Sequence, residues 1–367
     1  MVSIDEVART AGVSSATVSR ALSGRGHVSP LTREKVLRVA GELGYVVSSA
    51  ASSLASGRSR NIGVMLPDLH RWFFSTVLTG ISEELSRRGY DLTLYNVSDD
   101  EALRREIFSS FLRRRRVDGL IVVAMELDAE EIDQLTQLGI PVLTLGGSNP
   151  RLFGRAVDDH ALARLAVEHL LRLGHTRIGR IGAEASFNRD FHIPARREAG
   201  FRDALAEAGL EADPRLCVTA DFTIEGGHRA AKLILGRSEA APTGLVAFSD
   251  EMAIGALLAA RELGLEVPQD ISVVGMDGHD LGPLFGLTTV DQHPLNQGGQ
   301  AARDILERIE DPRPAGSGSD PADGPPVPDS AATSAEAARS LSGPEQVPGP
   351  LPYELVVRSS TSAPRMA

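Results

Sequence analysis

The sequence predicts an all-α helix-turn-helix head followed by an α/β body of two doubly wound, parallel-sheet lobes. Capping residues and helical apolar spacing fill residues 1–45. From residue 61 onward, apolar runs alternate with amphipathic stretches, a pattern typical of parallel sheets covered by helices on both faces. These β-α units are too numerous for one small sheet, which favours two similar lobes.

The head, residues 1–45, is predicted to contain three short helices. A capping box at residues 3–6 starts the first helix, and Gly12 ends it. Ser14 is the expected N-cap of the second helix, and residues 29–30 supply a serine N-cap and a proline for the third. The side chains spaced to face a shared core are Ile4, Val7, Ala8, Ala11, Val18, Leu22, Val36, Val39, Ala40 and Leu43.

Two segments have compositions that cannot bury a core. Residues 46–60 contain five serines between positions 48 and 56, and are predicted to be a hinge. Residues 311–350 are rich in Pro, Gly, Ser, Ala and Asp, and are predicted to be a disordered insertion. Because residues 353–357 are then expected to return as a last strand, the segment is interpreted as an insertion and not a tail.

The body is predicted to span residues 61–310 and 351–358. Its two lobes are expected to meet near residues 157–160 and 287–293. Its strand-like apolar runs begin at Ile62, Asp91, Gly119, Pro141, Arg177, Gly244 and Ile271.

Charge is distributed unevenly along the 367 residues. The net charge is −11, but residues 1–60 carry +4 and the remainder −15. A basic head on an acidic body fits attraction of the head to phosphate groups. The single cysteine, Cys217, cannot form an internal disulfide, and we find neither a leader nor an apolar run of about 20 residues. We therefore expect a soluble, cytoplasmic protein with no membrane partner.

Motifs of nucleotide-dependent enzymes and hydrolases are missing from the sequence. It contains no G-x-G-x-x-G or G-x-x-x-x-G-K-[ST] loop, no G-x-S-x-G elbow, and no His and Cys at metal-ligand spacing. We therefore predict that the protein is not an enzyme and uses no cofactor or metal. A sugar-binding transport protein, the other alternative, would share the two lobes but would lack the head.

The segment IDEVARTAGVSSATVSRALSGRGHVSPLTREKVLRVAGELGY resembles the head of the lactose-repressor and galactose-repressor family. Further matches run to the C-terminus and include RVDGLIVV, VEHLLRLGHTRIG, FSDEMAIGAL, VPQDISVVGMD and LPYELVVRSST. Only residues 311–350 depart from the family pattern. The resemblance implies lobes of periplasmic-binding-protein type. It also implies a sequence-specific transcriptional regulator, expected to be a repressor, that is controlled by a small effector.

The resemblance also implies that the second helix enters the major groove of an operator. Arg20 is the side chain best suited to donate two hydrogen bonds to a guanine. Ser15, Ala16 and Arg20 are expected to face base edges, with Ile4 near them, and Ser19 is expected on the same outward, DNA-binding side of the helix. The residues expected at backbone phosphates are Ser14, Thr17, His27, Ser29 and Thr32. An exposed serine without a DNA contact is the alternative for any one of the serines.

In the family, the hinge forms a helix in the minor groove, where a leucine from each of two subunits kinks the DNA. Leu54, with Ala51 one turn earlier, matches those positions, and a minor packing contact is the alternative. Val47 and Ser48 replace the family's Pro-Asn pair, and Ser52 replaces a common Arg or Gln. We therefore expect fewer phosphate contacts and weaker binding by the hinge.

The resemblance places the effector in the cleft between the lobes, where strand ends of open α/β sheets bind ligands. A guanidinium and a carboxylate can form hydrogen bonds with neighbouring hydroxyl groups of a ligand, and aromatic side chains can stack on the face of a ligand ring. A carbohydrate is therefore the first expectation, and a nucleobase acting as co-repressor is the second. The matching positions are Trp72, Phe73, Arg197, Phe222, Asp250, Asp277 and Gln292. A turn carboxylate at Asp277, and a pairing of Arg197 with Glu198 or Asp190, are the alternatives.

A homodimer is expected to bind an operator with an inverted repeat, because one three-helix head has a small footprint. No leucine heptads follow Val357, which favours a dimer over a dimer of dimers. The sugar-responsive members of the family imply that the effector releases DNA.

Overall fold

The computed structural model describes residues 2–23, 27–45, 58–97, 101–112, 117–147, 149, 151–183, 192–236, 241–311 and 350–365. The chain divides into two compact units, one formed by residues 1–61 with 115–118 and the other by residues 62–114 with 119–367. Most of the predicted hinge, with Ala51 and Leu54, and residues 312–349 of the predicted insertion lie outside the described residues.

The first unit contains the three predicted helices: α1 (Ile4–Ala11), α2 (Ser15–Ser23) and α3 (Pro30–Glu42). Ser3 and Glu6 form the predicted capping box, and Gly12 ends α1 with φ 66°. This positive φ is one that glycine adopts without a steric penalty. The fully packed residues of its core are Val7, Ala8, Ala11, Val18, Ala21, Val36, Val39 and Ala40.

The first lobe of the second unit is a five-stranded sheet with the strand order β2-β1-β3-β4-β5. Its strands are β1 (Asn61–Leu66), β2 (Asp91–Asn96), β3 (Gly119–Val123), β4 (Val142–Leu145) and β5 (Phe153–Arg155). Its helices are α4 (Trp72–Arg87), α5 (Glu101–Glu106), which continues as the π-turn Ile107–Phe111, and α6 (Ala129–Gln137).

The second lobe is a six-stranded sheet with the strand order β11-β10-β9-β8-β6-β7. Its strands are β6 (Ile178–Ala183), β7 (Cys217–Ala220), β8 (Gly244–Ala247), β9 (Ser272–Asp277), β10 (Thr288–Asp291) and β11 (Glu354–Val356). Its helices are α7 (Asp159–Arg172), α8 (Ile193–Glu207), the 3₁₀ turn Pro214–Leu216, α9 (Ile224–Leu235), α10 (Asp250–Glu262) and α11 (Gly282–Phe285). The pairs β6–β7, β6–β8, β8–β9 and β9–β10 are parallel, whereas β11 runs antiparallel to β10.

The chain passes between the lobes three times. It enters the second lobe between β5 and α7, and returns after β10 as helix α12 (Pro294–Glu310), which packs on α4 and on β3 and β4 of the first lobe. It then comes back to the second lobe as β11, and on the way the Leu351 N–H donates to the Ala156 carbonyl at 2.9 Å. The positions of the first two crossings agree with the predicted meeting points of the lobes.

Helices α4 and α12 approach each other closely through glycines. A Cβ atom on Gly80 would lie 2.0 Å from the Leu295 carbonyl oxygen, and one on Gly298 would lie 2.0 Å from the Val77 carbonyl oxygen. No side chain larger than hydrogen fits at either position with this backbone.

All seven predicted strands are present, and each starts within one residue of its predicted start. The expected last strand is β11, although it is shorter than residues 353–357. The sequence prediction missed β5, β7 and β10, which have only three or four residues each and give little alternation to detect. Among the described helices, none combines the length and the apolar character that crossing a bilayer requires.

Candidate DNA-binding surface and effector cleft

A Ser-x-x-Thr arrangement occurs at the N-termini of both α2 and α3. The Ser14 hydroxyl accepts a 3.2 Å hydrogen bond from the Thr17 N–H, and the two hydroxyl oxygens are 2.9 Å apart. Ser29 and Thr32 repeat this geometry at 3.2 Å and 2.8 Å. Helix N-termini attract phosphate because their N–H groups and dipoles point outward. Four of the five expected phosphate-binding residues therefore occupy such ends, and the fifth, His27, is exposed.

The residues expected on the base-facing surface differ in how exposed their side chains are. Ala16, Ser19 and Arg20 are exposed on α2. The Ser15 hydroxyl donates to Asp5 Oδ1 at 2.6 Å, which ties the start of α2 to α1. Ile4 is half-buried and packs against the core of the head, so only part of its side chain is accessible.

A narrow cleft lies between the two lobes of the body and has a cavity volume of about 50 Å³. It lies at the carboxyl ends of β3, β4, β9 and β10 and at the N-terminal turns of α4, α7, α8 and α12. Its lining residues are Arg71, Phe73, Phe74, Val123, Ala124, Leu145, Gly146, Val157, Asp159, Ile193, Arg197, Phe222, Asp277, Gln292 and Gln297.

Five polar side chains of the cleft form a connected series, and each of them is at most 5% exposed. Arg197 Nε donates to Asp159 Oδ1 at 2.8 Å, and Arg197 Nη1 donates to the Phe248 carbonyl and lies 4.0 Å from Asp277 Oδ1. Gln292 Nε2 donates to Asp277 Oδ1 at 2.7 Å, and Gln297 Nε2 donates to the Gln292 carbonyl at 2.7 Å. This buried polar series offers donors and acceptors side by side.

Arg197 pairs with Asp159 at 2.8 Å and lies 4.0 Å from Asp277, whereas Glu198, one of its two expected alternative partners, contacts Arg180 and Arg202. Asp190 lies outside the described residues. Asp159 was missed by the sequence prediction, although it opens α7 directly after the first crossing between the lobes.

Asp277 is a buried carboxyl group of the cleft. Burial raises its pKa to about 8, and the nearby Arg197 charge opposes this rise. Burial therefore favours the protonated form of this side chain. Its backbone φ of 130° lies in a region that non-glycine residues rarely adopt.

Strained backbone is concentrated around this cleft. The lining residues Ala124, Phe222 and Asp277 all have positive φ, at 44°, 56° and 130°. His192 and His293, with φ 57° and 52°, directly precede the helices that carry Ile193 and Gln297. Strain of this kind persists where the surrounding structure enforces it, which is typical of ligand sites.

Asp250 does not line the cleft. Its Oδ2 accepts from the Gly278 and His279 N–H groups at 2.9 and 2.7 Å, and its Oδ1 accepts from the Thr289 hydroxyl at 2.7 Å. Burial raises the pKa of Asp250 to about 6, and these three donors limit the rise. Asp250 therefore holds the loop after β9 and positions Asp277.

Trp72 does not line the cleft either. Its indole stacks on the His279 imidazole, with ring centroids 4.3 Å apart. The other five predicted effector-binding residues, Phe73, Arg197, Phe222, Asp277 and Gln292, do line it. The sequence prediction missed Arg71, whose guanidinium lies over the Phe222 and Phe74 rings. No group of His, Cys, Asp and Glu able to hold a metal ion occurs in the described part of the chain.

Residues 3–48 match a family described as bacterial regulatory proteins, lacI family, and residues 167–322 match the periplasmic binding protein-like domain. Among curated proteins, the HTH-type transcriptional repressor PurR of Haemophilus influenzae (strain PittEE) is 33% identical over 315 residues. The match covers 84% of this chain and 91% of that protein.

Two solved structures have the same architecture. A lac repressor dimer bound to operator and the anti-inducer ONPF superimposes with a TM-score of 0.79 at 26% identity, covering 99% of both chains. The complex of the transcriptional regulator CelR with cellobiose gives a TM-score of 0.64 at 26% identity, covering 98% of this chain and 100% of that one. The fold is thus a helix-turn-helix head with two parallel-sheet α/β lobes.

Proposed function

Because the chain belongs to the lacI family of bacterial regulatory proteins, and is thus a DNA-binding repressor under the control of a small effector, we propose that its effector is a carbohydrate held between the lobes. The family is one of transcriptional repressors and not of enzymes.

The alternation of donors and acceptors along the cleft carries the proposal. Arg197 and Gln292 present N–H groups, and Asp159 and Asp277 present carboxyl oxygens within the same buried series. A sugar hydroxyl both donates and accepts, so vicinal hydroxyls can satisfy such neighbouring groups together. The CelR structure, which holds cellobiose, supports a carbohydrate for this chain as well.

On DNA, we propose a homodimer on an inverted repeat, as the lac repressor dimer on its operator suggests. Arg20 contacts a guanine, with Ala16 and Ser19 at the same surface. Ser14, Thr17, Ser29 and Thr32 hold backbone phosphates through the two helix N-termini. The hinge leucine, Leu54, kinks the central step from the minor groove.

Effector binding releases the operator in this proposal. A ligand that favours one arrangement of the lobes biases the spacing of the two hinges in the dimer, and a polar hinge keeps its helix only while paired on DNA. A coupling free energy of about 1–3 kcal/mol between effector and operator is ordinary for allostery.

A nucleobase acting as co-repressor is the second candidate. The aromatic rings of Phe73 and Phe222 in the cleft favour it, because stacking suits a planar base. The two candidates have opposite effects on operator binding: the carbohydrate weakens it, whereas a co-repressor strengthens it.

The decisive experiment titrates operator affinity against ligand. An operator is selected from random DNA with the purified protein, and its binding is followed by fluorescence anisotropy with monosaccharides, cellobiose and nucleobases. We expect one sugar to weaken operator binding by about 5- to 150-fold in the parent and by much less in Asp277→Leu, which has no polar side-chain atom. Arg151→Ala, which removes an exposed pair with Asp133, is the matched control. Unchanged behaviour in Asp277→Leu would place the effector elsewhere, and strengthening by a nucleobase would replace the carbohydrate.

A further inference from the structure

Asp118 holds the chain where the predicted hinge meets the first strand of the body. Its Oδ1 accepts hydrogen bonds from the Ser59 N–H at 2.7 Å and the Ser59 hydroxyl at 2.9 Å, and its Oδ2 accepts from the Arg60 N–H at 2.8 Å. The Asp118 N–H in turn donates to the Asn61 carbonyl at 2.8 Å. Hydrogen bonds to a carboxylate are stronger than those between neutral groups. One residue therefore fixes three consecutive residues at the end of the hinge.

The backbone of Arg60 is held in an unfavourable conformation. Its φ is 50°, in the left-handed region that residues other than glycine rarely adopt. Such a conformation persists only where surrounding contacts enforce it. The Asp118 carboxylate supplies such a contact, because it binds the N–H groups of Ser59 and Arg60 together. Without that carboxylate, we expect Arg60 to relax to a negative φ, which changes the direction of the chain before β1.

Asp118 also stands at one end of a strand pair that reaches the effector cleft. It directly precedes β3, and Arg60 directly precedes the neighbouring parallel strand β1. At the other end of β3, Val123 and Ala124 line the cleft, and the loop after β1 leads to Arg71 of the same lining. Coupling between distant sites is carried by rigid, hydrogen-bonded elements of this kind. A change in the cleft that moves these strands therefore also moves the two strand starts that Asp118 joins.

We propose that Asp118 is a positioning residue that passes a change at the cleft on to the hinge, and so adjusts operator binding although it does not line the cleft. Its hydrogen bonds make the end of the hinge part of the β1–β3 strand pair, so the hinge cannot keep its direction when the strands shift. The inference rests on the proposed function only in taking this cleft as the effector site.

The test follows operator binding of the full-length protein by fluorescence anisotropy without any ligand, so its outcome does not depend on which effector the cleft accepts. His279→Ala removes the stack with Trp72, which loosens the lobes and stands in for a change at the cleft. We expect Asp118→Ala to weaken operator binding at least about tenfold, the size of effect that losing one charge-assisted hydrogen bond produces. His279→Ala should change operator affinity in the parent but not in the Asp118→Ala background, because the two effects are coupled through Asp118.

The direction of the change separates positioning from general electrostatics. Removing a negative charge beside the hinge by itself strengthens attraction to DNA, so weaker binding by Asp118→Ala has to come from lost positioning. Asp118→Asn keeps one acceptor oxygen and is expected to lose less affinity, and it replaces Asp118→Ala if that variant does not fold. A purely structural role, which would overturn the inference, would lower the melting temperature and leave operator affinity at the parent value.

Asp128→Ala is the matched control, because it removes a carboxylate of the first lobe that accepts from a backbone N–H, that of Glu131, at 2.8 Å. It should bind the operator as the parent does. Parent-like operator affinity in both Asp118 variants would overturn the inference. An equal effect of His279→Ala in the parent and Asp118→Ala backgrounds, or no effect in either, would overturn it as well.

Discussion

The indole of Trp72 stacks on the imidazole of His279, with the ring planes inclined by only 21°. Trp72 starts α4 in the first lobe, and His279 follows β9 in the second, so the stack joins the two lobes. Burial lowers the pKa of His279, although the neighbouring Asp280 opposes this, so the stacked ring is neutral at pH 7. The stack is therefore a local indicator of whether the lobes are closed.

The first prediction uses Trp72 as a fluorophore, because it is the only tryptophan in the chain. Opening of the lobes exposes the indole to water, so His279→Ala should shift its emission to longer wavelength and abolish any emission change caused by effector. Emission spectra with and without ligand measure this. His160→Ala, which removes a histidine paired with Asp203 and away from the stack, is the control. Identical spectra for His279→Ala and the parent would show that the stack does not report closure.

The second prediction concerns the buried pair of Arg197 and Asp159. Arg197→Ala leaves Asp159 buried without its partner, so the free energy of unfolding should fall by about 3–5 kcal/mol. Urea denaturation measures the change. Arg202→Ala, which breaks a pair whose arginine is 55% exposed, should cost less than about 1 kcal/mol. Arg197→Met combined with Asp159→Leu should recover much of the loss, and equal costs for the two arginines would contradict the argument.

The third prediction is that Asp277 makes the free energy of unfolding depend on pH. Its pKa of about 8 in the folded protein is above its ordinary value of 3.8, so folding favours the protonated form. The resulting stability is fully present below pH 3.8 and is lost as the pH rises to about 8. Asn cannot titrate, so the stability of the parent minus that of Asp277→Asn should decline across this window. Thermal unfolding at several pH values measures the difference, and a flat difference would rule out the shift.

The fourth prediction separates base contacts from phosphate contacts. Arg20→Ala should lose about 1–3 kcal/mol of operator affinity, with little change in binding to unrelated DNA. Ser29→Ala removes the cap of α3 and a helix-end phosphate site, so it should weaken binding to both DNAs alike. Anisotropy titrations on operator and scrambled DNA compare the two variants. If Arg20→Ala lost the same affinity for both DNAs, Arg20 would be a phosphate contact and not a base contact.

The fifth prediction concerns residues 311–350. Deleting residues 315–346 leaves a short connection between α12 and the Leu351 contact with Ala156, and the deleted composition cannot bury a core. The melting temperature should therefore stay within a few degrees of the parent, and operator affinity should be unchanged. A large drop in melting temperature would mean that the segment packs on the body.

Local features were predicted well from the sequence. The caps at Ser3, Ser14 and Ser29 depend on neighbours within one helical turn, and all three are present. The long strands were found because their apolar runs are continuous. Asp277, at the end of β9, was predicted as a cleft residue because the family resemblance places it there.

Contacts between distant segments could not be predicted in the same way. Consecutive residues at a helix start point in directions about 100° apart, and the sequence does not say which of them face the cleft: Phe73 lines it, whereas Trp72 stacks on His279. Which of the two faces it depends on His279, more than 200 residues later. Arg71 was missed for the same reason, because its aromatic partner Phe222 belongs to the other lobe.

The glycine contact between α4 and α12 bears on how the chain is made. Synthesis proceeds from the N-terminus, and domains generally fold as they emerge. Gly80 leaves the ribosome more than 200 residues before Gly298, so the groove of α4 that receives α12 has no occupant while β6 to β10 of the second lobe are being produced. The first lobe can reach its native packing only after translation has passed the end of α12 at Glu310. The N-terminal half of the body, although made first, thus keeps an uncovered groove through most of the synthesis of the chain, and this groove is open to aggregation in the meantime.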